Sequence, residues 1–168
     1  MKLKYYIIIF LLSFYTANIF ACKCLEVSVA DDLASSDIVF KGKVLSHVIT
    51  NNFDSLNISL EDTNVDIDFS TIPVSAVTIE IDTLYKGLGC HVLTIITPAS
   101  SASCGVYFSA GKEYMIYASM QMRQPYQVKD NCNCRNIFWT HSCTRTRIWT
   151  AEEEQAIITE LEKNNGAN

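Results

Sequence analysis

A pair of cysteines separated by one residue, Cys22-Lys23-Cys24, directly follows a hydrophobic leader that ends in Ala21. The leader starts with two lysines, continues through an apolar run over 5–15 and steps down to small residues, which is typical of a secretory signal. The apolar run is shorter than the roughly 20 residues that span a membrane. We therefore predict that residues 1–21 are a signal peptide and that the mature chain begins with a cysteine.

The exported part of the chain has the length of a single domain. Removing 21 of the 168 residues leaves 147, enough for one hydrophobic core but hardly for two, so 22–168 is predicted to be one domain. Loss of two leader lysines moves the formal charge from −5 to −7. An acidic surface argues against nucleic acid or an anionic membrane as partner. We expect a secreted, extracellular protein.

Cysteine is abundant in the exported chain. The seven cysteines are Cys22, Cys24, Cys90, Cys104, Cys132, Cys134 and Cys143. Export places them where disulfides form and persist. Their spacing alone does not pair them, and the odd count leaves at least one cysteine outside any pair within the chain. Structural zinc sites usually carry C-x2-4-C pairs. The C-x-C spacings fit such sites poorly, so we expect disulfides and no cofactor of the protein's own.

Alternating apolar and polar residues predict a chain made mostly of strands. The predicted elements are a short helix over 28–36, strands over 37–45, 74–85, 92–97, 113–119 and 136–142, and a helix from Thr150 to Gly166. Ser28 and Thr150 are the expected N-caps, the latter in a capping box with Glu153. Gly42 is predicted to mark a bulge or a close backbone approach. Residues 50–73 are predicted to form a long loop or an elongated hairpin.

This pattern indicates a mainly β fold with flanking helices. Five strands with irregular connections favour a small closed barrel. Arg145 and Arg147 are predicted to lie in a solvated connection, and Trp139 and Trp149 to fill the core or the barrel ends. No Ser or Cys stands beside a His and an acid at a recognisable motif spacing, and no Gly-rich phosphate loop is present. The sequence therefore gives little support to an enzyme, and we predict none.

Several motifs occur in an order that resembles a known family. They are Cys22-x-Cys24, SDIVFKGKV, LYKG, TPASSASCG over 97–105, KEYMIYA, and a cysteine and a tryptophan ahead of the last helix. In this order the chain resembles the N-terminal inhibitory domain of the tissue inhibitors of metalloproteinases, which are netrin-like modules. The resemblance covers nearly all of residues 22–163. It implies an OB-type, five-stranded barrel stapled by disulfides Cys22–Cys104 and Cys24–Cys143.

The resemblance also implies a function. In the family, the terminal amine and carbonyl of the first mature residue bind the zinc of a target metalloprotease, and the second side chain enters the specificity pocket. Carried over, the inhibitory ridge consists of Cys22, Lys23, Cys24, Leu25, Ala99, Ser100, Ser101, Ala102, Ser103 and Cys104. The only metal is then the target's zinc, bound by the backbone N and O of Cys22. A lysine at position 23 implies an acidic target pocket or weak inhibition of ordinary metalloproteases.

A different use of Cys22 stays open at this point. Ile19-Phe20-Ala21-Cys22 is an imperfect lipobox, in which Ala21 fits and Phe20 does not. In a bacterium the thiol would form a thioether to diacylglycerol, which would forbid the disulfide to Cys104. Further acylation of the amine would abolish zinc binding. The alternative is a netrin-like binding module, anchored to a membrane as a lipoprotein, without protease inhibition.

Overall fold

The computed structural model describes residues 22–51, 73–87, 90–120 and 138–166. The predicted signal peptide, most of the predicted loop over 50–73, and Cys132 and Cys134 lie outside the described residues. None of the helices in the described ranges combines the length and the apolar character needed to cross a membrane.

The described chain is mainly β with two helices, as predicted. The elements are α1 Val29–Ser35, β1 Ile38–Thr50, β2 Val74–Lys86, β3 Val92–Pro98, β4 Glu113–Met120, β5 Phe138–Trp139, β6 Arg147–Ile148 and α2 Ala151–Gly166. A single 3₁₀ turn, Ser101–Ser103, lies between β3 and β4. Four of the predicted strands, at 37–45, 74–85, 92–97 and 113–119, correspond to β1 to β4, and β1 extends five residues beyond its prediction.

The strand predicted over 136–142 is wrong in its second half. The described strand β5 ends at Trp139, and the chain then turns. In this turn the carbonyl oxygen of His141 accepts hydrogen bonds from both the backbone N–H and the hydroxyl of Thr144. These local bonds replace the ladder bonds that a longer strand would make. The short strand β6 was not predicted.

Strand pairing closes a ring. β1 pairs antiparallel with β2 on one side and with β4 on the other, and β2 pairs antiparallel with β3. A short parallel contact joins β3 to β5, and β5 pairs antiparallel with β4. The ring order is therefore β1–β2–β3–β5–β4, with β6 added to β4. This arrangement leaves the segment before α1 beside the β3–β4 connection and the β5–β6 connection.

The core consists of two clusters that lie on opposite faces of β1 and β4. Ile38 and Phe40 on β1 and Ile116 on β4 belong to the larger cluster. The residues between them, Val39 and Tyr117 among them, face the other way and pack with residues of α1 and α2. Side chains alternate in this way because successive residues of a strand point to opposite faces. The sheet therefore carries the helices on one face.

Gly42 occupies a position that has no room for a side chain. A Cβ there would lie 2.6 Å from Cγ2 of Ile79 and 2.7 Å from the carbonyl oxygen of Glu80. The β1–β2 register also shifts between Lys41 and Gly42. The prediction of a bulge with a close backbone approach is confirmed.

Both predicted helix starts are present. The Ser28 hydroxyl accepts a hydrogen bond of 3.1 Å from the backbone N–H of Asp31, and the Thr150 hydroxyl accepts one of 3.2 Å from that of Glu153. In a capping box the side chain of the third residue returns to the N-cap. The carboxylate of Glu153 is directed at Arg145 and Tyr117, inside the molecule. The bond to the Thr150 hydroxyl is therefore present, whereas the Glu153 carboxylate pairs with Arg145 instead of returning to the N-cap.

Candidate functional site

Two disulfides fix the segment that precedes α1. Residues 22–28, here called the extended segment, form no regular element. Cys22 is bonded to Cys104, with 5.5 Å between the Cα atoms, and Cys24 is bonded to Cys143, with 5.0 Å. These are the two pairs that the family resemblance implies. They hold the beginning of the extended segment against two other loops.

The disulfides also exclude the zinc ligand sets that include these sulfurs. Cys90 is disulfide-bonded as well. A sulfur in a disulfide is no thiolate, and the thiolate is the metal ligand. Within the described ranges, His, Cys, Asp and Glu side chains form no cluster suited to hold a metal ion.

The structure brings the predicted ridge residues together. The ridge, residues 22–25 and 99–104, is joined by the Cys22–Cys104 bond. Leu25 is 85% exposed, Lys23 and Cys24 are exposed, and so are the serines and the alanine of the 3₁₀ turn. Most ridge side chains therefore face solvent, while Cys22, Ala99 and Cys104 are half-buried.

The loop part of the ridge is organised around Ser100. The carbonyl oxygen of Ser100 accepts hydrogen bonds from the backbone N–H groups of Ser103, at 3.1 Å, and Gly105, at 2.9 Å. The hydroxyls of Ser100 and Ser103 lie 2.9 Å apart, and the N–H of Ala99 donates to the carbonyl oxygen of Pro73. The loop is thus held by its own hydrogen bonds and by one to the residue before β2.

Two neighbouring residues make the tight end of this loop. Cys104 has a φ of 64°, in the left-handed region that few non-glycine residues adopt. At Gly105 a Cβ would overlap the carbonyl oxygen of Pro98 and lie 2.9 Å from that of Ser100. Gly105 is therefore required where the chain leaves the loop, next to the residue that carries the disulfide to Cys22.

The connection between β5 and β6 links both disulfides. In this connector, residues 140–146, the backbone N–H of Ser142 donates a 2.7 Å hydrogen bond to the carbonyl oxygen of Cys104. Its next residue, Cys143, carries the bond to Cys24. One short segment therefore contacts both parts of the ridge.

Threonine hydroxyls fix the connector to the core. The hydroxyls of Thr140 and Thr146 donate to the carbonyl oxygen of Tyr117, at 2.8 and 3.0 Å, and the Thr146 hydroxyl also accepts from the N–H of Tyr117. Tyr117 is fully buried, and both threonines are buried with it. The connector is therefore attached by hydrogen bonds to strand β4 at a fully buried residue.

A buried ion pair lies between the connector and α2. Nε and Nη2 of Arg145 donate to the two carboxylate oxygens of Glu153, at 2.7 and 2.5 Å. The hydroxyl of Tyr117 donates to the same carboxylate at 2.8 Å. Burial would raise the pKa of Glu153, but the hydrogen bonds from Arg145 and Tyr117 together outweigh burial and hold that pKa below its usual value. The carboxylate of Glu153 is therefore ionised at neutral pH.

Asp32 extends this cluster to α1. Its carboxylate accepts a hydrogen bond from the backbone N–H of Arg145, and the residue is 5% exposed. Burial raises the pKa of Asp32, and the bond from Arg145 offsets part of that rise. The prediction that Arg145 lies in a solvated connection is wrong, because its guanidinium pairs with the Glu153 carboxylate and its side chain is only 21% exposed. Arg147, at 50%, is the more solvated of the two.

The two tryptophans, and the histidines His47 and His141, have structural contacts. Trp149 is half-buried against the helix-side cluster, and its Nε1 donates to Glu154. Trp139 is half-buried in β5. The ring of His47 contacts the Ser75 hydroxyl at 2.9 Å, and Nδ1 of His141 accepts from the N–H of Cys143.

Chemically, the ridge offers a backbone amine and carbonyl at Cys22, provided that the chain is cleaved after Ala21. The family resemblance supplied the ridge residues, whereas sequence reasoning missed the polar cluster around Arg145 and Glu153. One signal in the sequence could have found it: Arg145 stands eight residues before Glu153, an acid in the first turn of the predicted last helix. No protein family model matches this chain, and the search of curated proteins found no match either.

Proposed function

We propose that the mature protein is a secreted inhibitor of zinc metalloproteases, which binds the catalytic zinc of its target through the backbone N and O of Cys22. The observation that carries the proposal is the Cys22–Cys104 disulfide, which pins the first residue after the predicted cleavage site to a hydrogen-bonded loop. The scaffold we propose is an OB-type barrel of the netrin-like kind. The ring of strand pairings supports it.

The chemistry requires a free terminus in a fixed place. An α-amino group has a pKa of about 7.7–8.0, so metal binding at neutral pH displaces its proton readily. The amine nitrogen and the carbonyl oxygen of one residue close a five-membered ring with a metal ion. Catalytic zinc in proteases is held by three protein ligands and keeps a position for water. The Cys22 backbone would replace that water, while its sulfur stays in the disulfide.

Lys23 supplies a prediction about the target. Its side chain is exposed on the ridge, directly after the proposed zinc-binding residue. A lysine ammonium that enters an apolar pocket without a partner is costly, whereas a carboxylate in the pocket would pair with it. We therefore propose that the target's specificity pocket contains an acid.

The decisive experiment changes only the terminus. Intact mass of the mature protein first establishes cleavage before Cys22 and the number of oxidised cysteines. The protein is then assayed against a panel of zinc proteases beside a variant with one additional alanine before Cys22. We expect the additional residue to reduce inhibition by at least 100-fold, because it removes the free amine from Cys22.

A matched control carries the additional alanine after Asn168, which gives the same mass and composition. It should inhibit as the wild type does. Equal potency of the N-terminally extended protein and the wild type would show that zinc binding by the terminus is not the mechanism. A mass with acyl chains on Cys22 would favour the anchored, netrin-like binding module and overturn the inhibitor proposal.

A further inference from the structure

The extended segment has a third attachment besides its two disulfides. Nη1 of Arg145 donates a 2.8 Å hydrogen bond to the carbonyl oxygen of Val27. Val27 directly precedes the Ser28 N-cap of α1. The disulfides fix residues 22 and 24 and α1 fixes the chain from Ser28 onward, so this bond acts on the residues between the second disulfide and the helix.

Arg145 is well oriented for this contact. Its guanidinium is planar and carries five N–H donors in a rigid fork. Two of its nitrogens, Nε and Nη2, are engaged by Glu153, so the direction of Nη1 is set by α2. Glu153 is in turn held by the hydroxyl of Tyr117, which is fully buried. A continuous series of contacts therefore runs from the core to the Val27 carbonyl.

The connector thus holds the extended segment at two points. Cys143 is bonded to Cys24, and Arg145, two residues later, is bonded to Val27. A single attachment permits rotation of the bound segment about it, whereas two attachments fix its direction. Leu25 and Glu26 lie between the two attachments and are exposed.

We propose that Arg145 is a positioning residue of the ridge, which fixes the direction of Leu25 and Glu26 by holding the Val27 carbonyl. The part of this proposal that concerns protease binding rests on the proposed function. Arg145 makes no contact with the target's zinc in this scheme. It acts by reducing the conformational entropy that the extended segment loses on binding.

The test measures mobility and inhibition in the same proteins. In Arg145→Met, backbone ¹⁵N order parameters of Leu25 and Glu26 should fall from about 0.85 toward about 0.6, the range of flexible backbone. That of Lys23 should change little, because Lys23 lies between two disulfide-bonded residues. Inhibition should weaken about five- to tenfold, mainly through faster dissociation.

Two variants separate positioning from general stability. Arg147→Met removes the same charge from the neighbourhood of Glu153, 4.0 Å away, but Arg147 has no bond to Val27 in the described structure. It should keep the mobility and the inhibition of the wild type. Arg145→Lys keeps the charge but loses the fork, and should lie between Arg145→Met and the wild type. If Arg145→Met does not fold, the same measurements are made on Arg145→Lys.

The outcomes distinguish this proposal from the function it refines. Unchanged order parameters in a destabilised Arg145→Met would make the residue merely structural and overturn the proposal. Increased mobility with unchanged inhibition would overturn its role in binding. Increased mobility in a protein whose wild type inhibits no zinc protease would leave the attachment established and refute the proposed function alone.

Discussion

The interior of the strand ring and the ridge beside it are held by different forces. The ring interior is an apolar cluster in which Phe40, Ile79 and Ile116 are fully buried. The ridge is exposed and is held by disulfides and by hydrogen bonds from the connector. Apolar burial is strong but has no direction, whereas disulfides and hydrogen bonds have defined geometry.

Stability and the position of Cys22 should therefore depend on different parts of the chain. Most of the free energy of unfolding is expected from the core clusters, and the placement of Cys22 from the ridge attachments. Substitutions in the two regions should therefore have opposite profiles. Core changes should lower stability with little effect on inhibition by the folded fraction. Ridge changes should weaken inhibition more strongly, relative to the stability that they cost.

The largest loss of stability is expected for Phe40→Ala. The substitution leaves a cavity in the ring interior, and removing a buried phenylalanine costs about 3–5 kcal/mol. The free energy of unfolding is measured by urea denaturation at pH 7. Inhibition per folded molecule should remain within about twofold of the wild type. A loss of inhibition in protein that is still folded would show that the core also sets the ridge geometry.

Removing the Cys24–Cys143 disulfide should affect both properties. The double variant Cys24→Ala with Cys143→Ala leaves no unpaired thiol and keeps Cys22 bonded to Cys104. A disulfide typically contributes about 2–4 kcal/mol, more for long closed loops. We expect a loss in that range by urea denaturation, and a weakening of inhibition larger than that of Phe40→Ala. Equal inhibition by the double variant and the wild type would show that the bond to Cys104 alone positions the terminus.

The family resemblance supplied the ridge residues, and the sequence around them has narrow structural uses. Gly105 has no room for a Cβ, and cysteines in an exported chain pair with one another. The elements α1 to α2 were likewise largely predictable from alternation and N-caps. The family resemblance supplied the disulfide pairs, which spacing alone left open.

The polar cluster was not predictable in the same way. Arg145 and Glu153 each fit a solvated position, and their pairing depends on how the connector folds back on β4. That path is set by the hydroxyls of Thr140 and Thr146, which bond a carbonyl about 20 to 30 residues away. No local pattern encodes such a contact. The strand predicted through 142 was wrong for the same reason.

The stability that the Arg145–Glu153 pair contributes depends on pH. The pKa of Glu153 is lowered in the folded state, so its stabilising contribution is present above the usual value of 4.5 and is lost as the pH falls through the folded pKa. Glu153→Gln leaves Arg145 without its charged partner and should cost about 2 kcal/mol at pH 7. The difference from the wild type should shrink toward pH 3 in urea denaturation.

Two features of this experiment isolate Glu153. The raised pKa of Asp32 acts in the opposite sense, since the folded state then binds a proton more tightly on acidification, but Asp32 is present in both proteins and largely cancels. Glu152→Gln, an exposed position in the same helical turn, should change stability little at either pH. A difference that stays constant with pH would mean that the ionisation of Glu153 contributes no stability.

The smallest effect is expected where the extended segment meets α1. Ser28→Ala removes the hydroxyl that accepts from the N–H of Asp31 and should cost about 1 kcal/mol, while Ser28→Thr keeps a capping hydroxyl and should lie near the wild type. Both are measured by urea denaturation and by inhibition. Inhibition should be almost unchanged in Ser28→Ala, because the bond from Arg145 still holds the Val27 carbonyl. If Ser28→Ala weakened inhibition as much as loss of the Cys24–Cys143 bond, the helix start would be the element that positions the ridge.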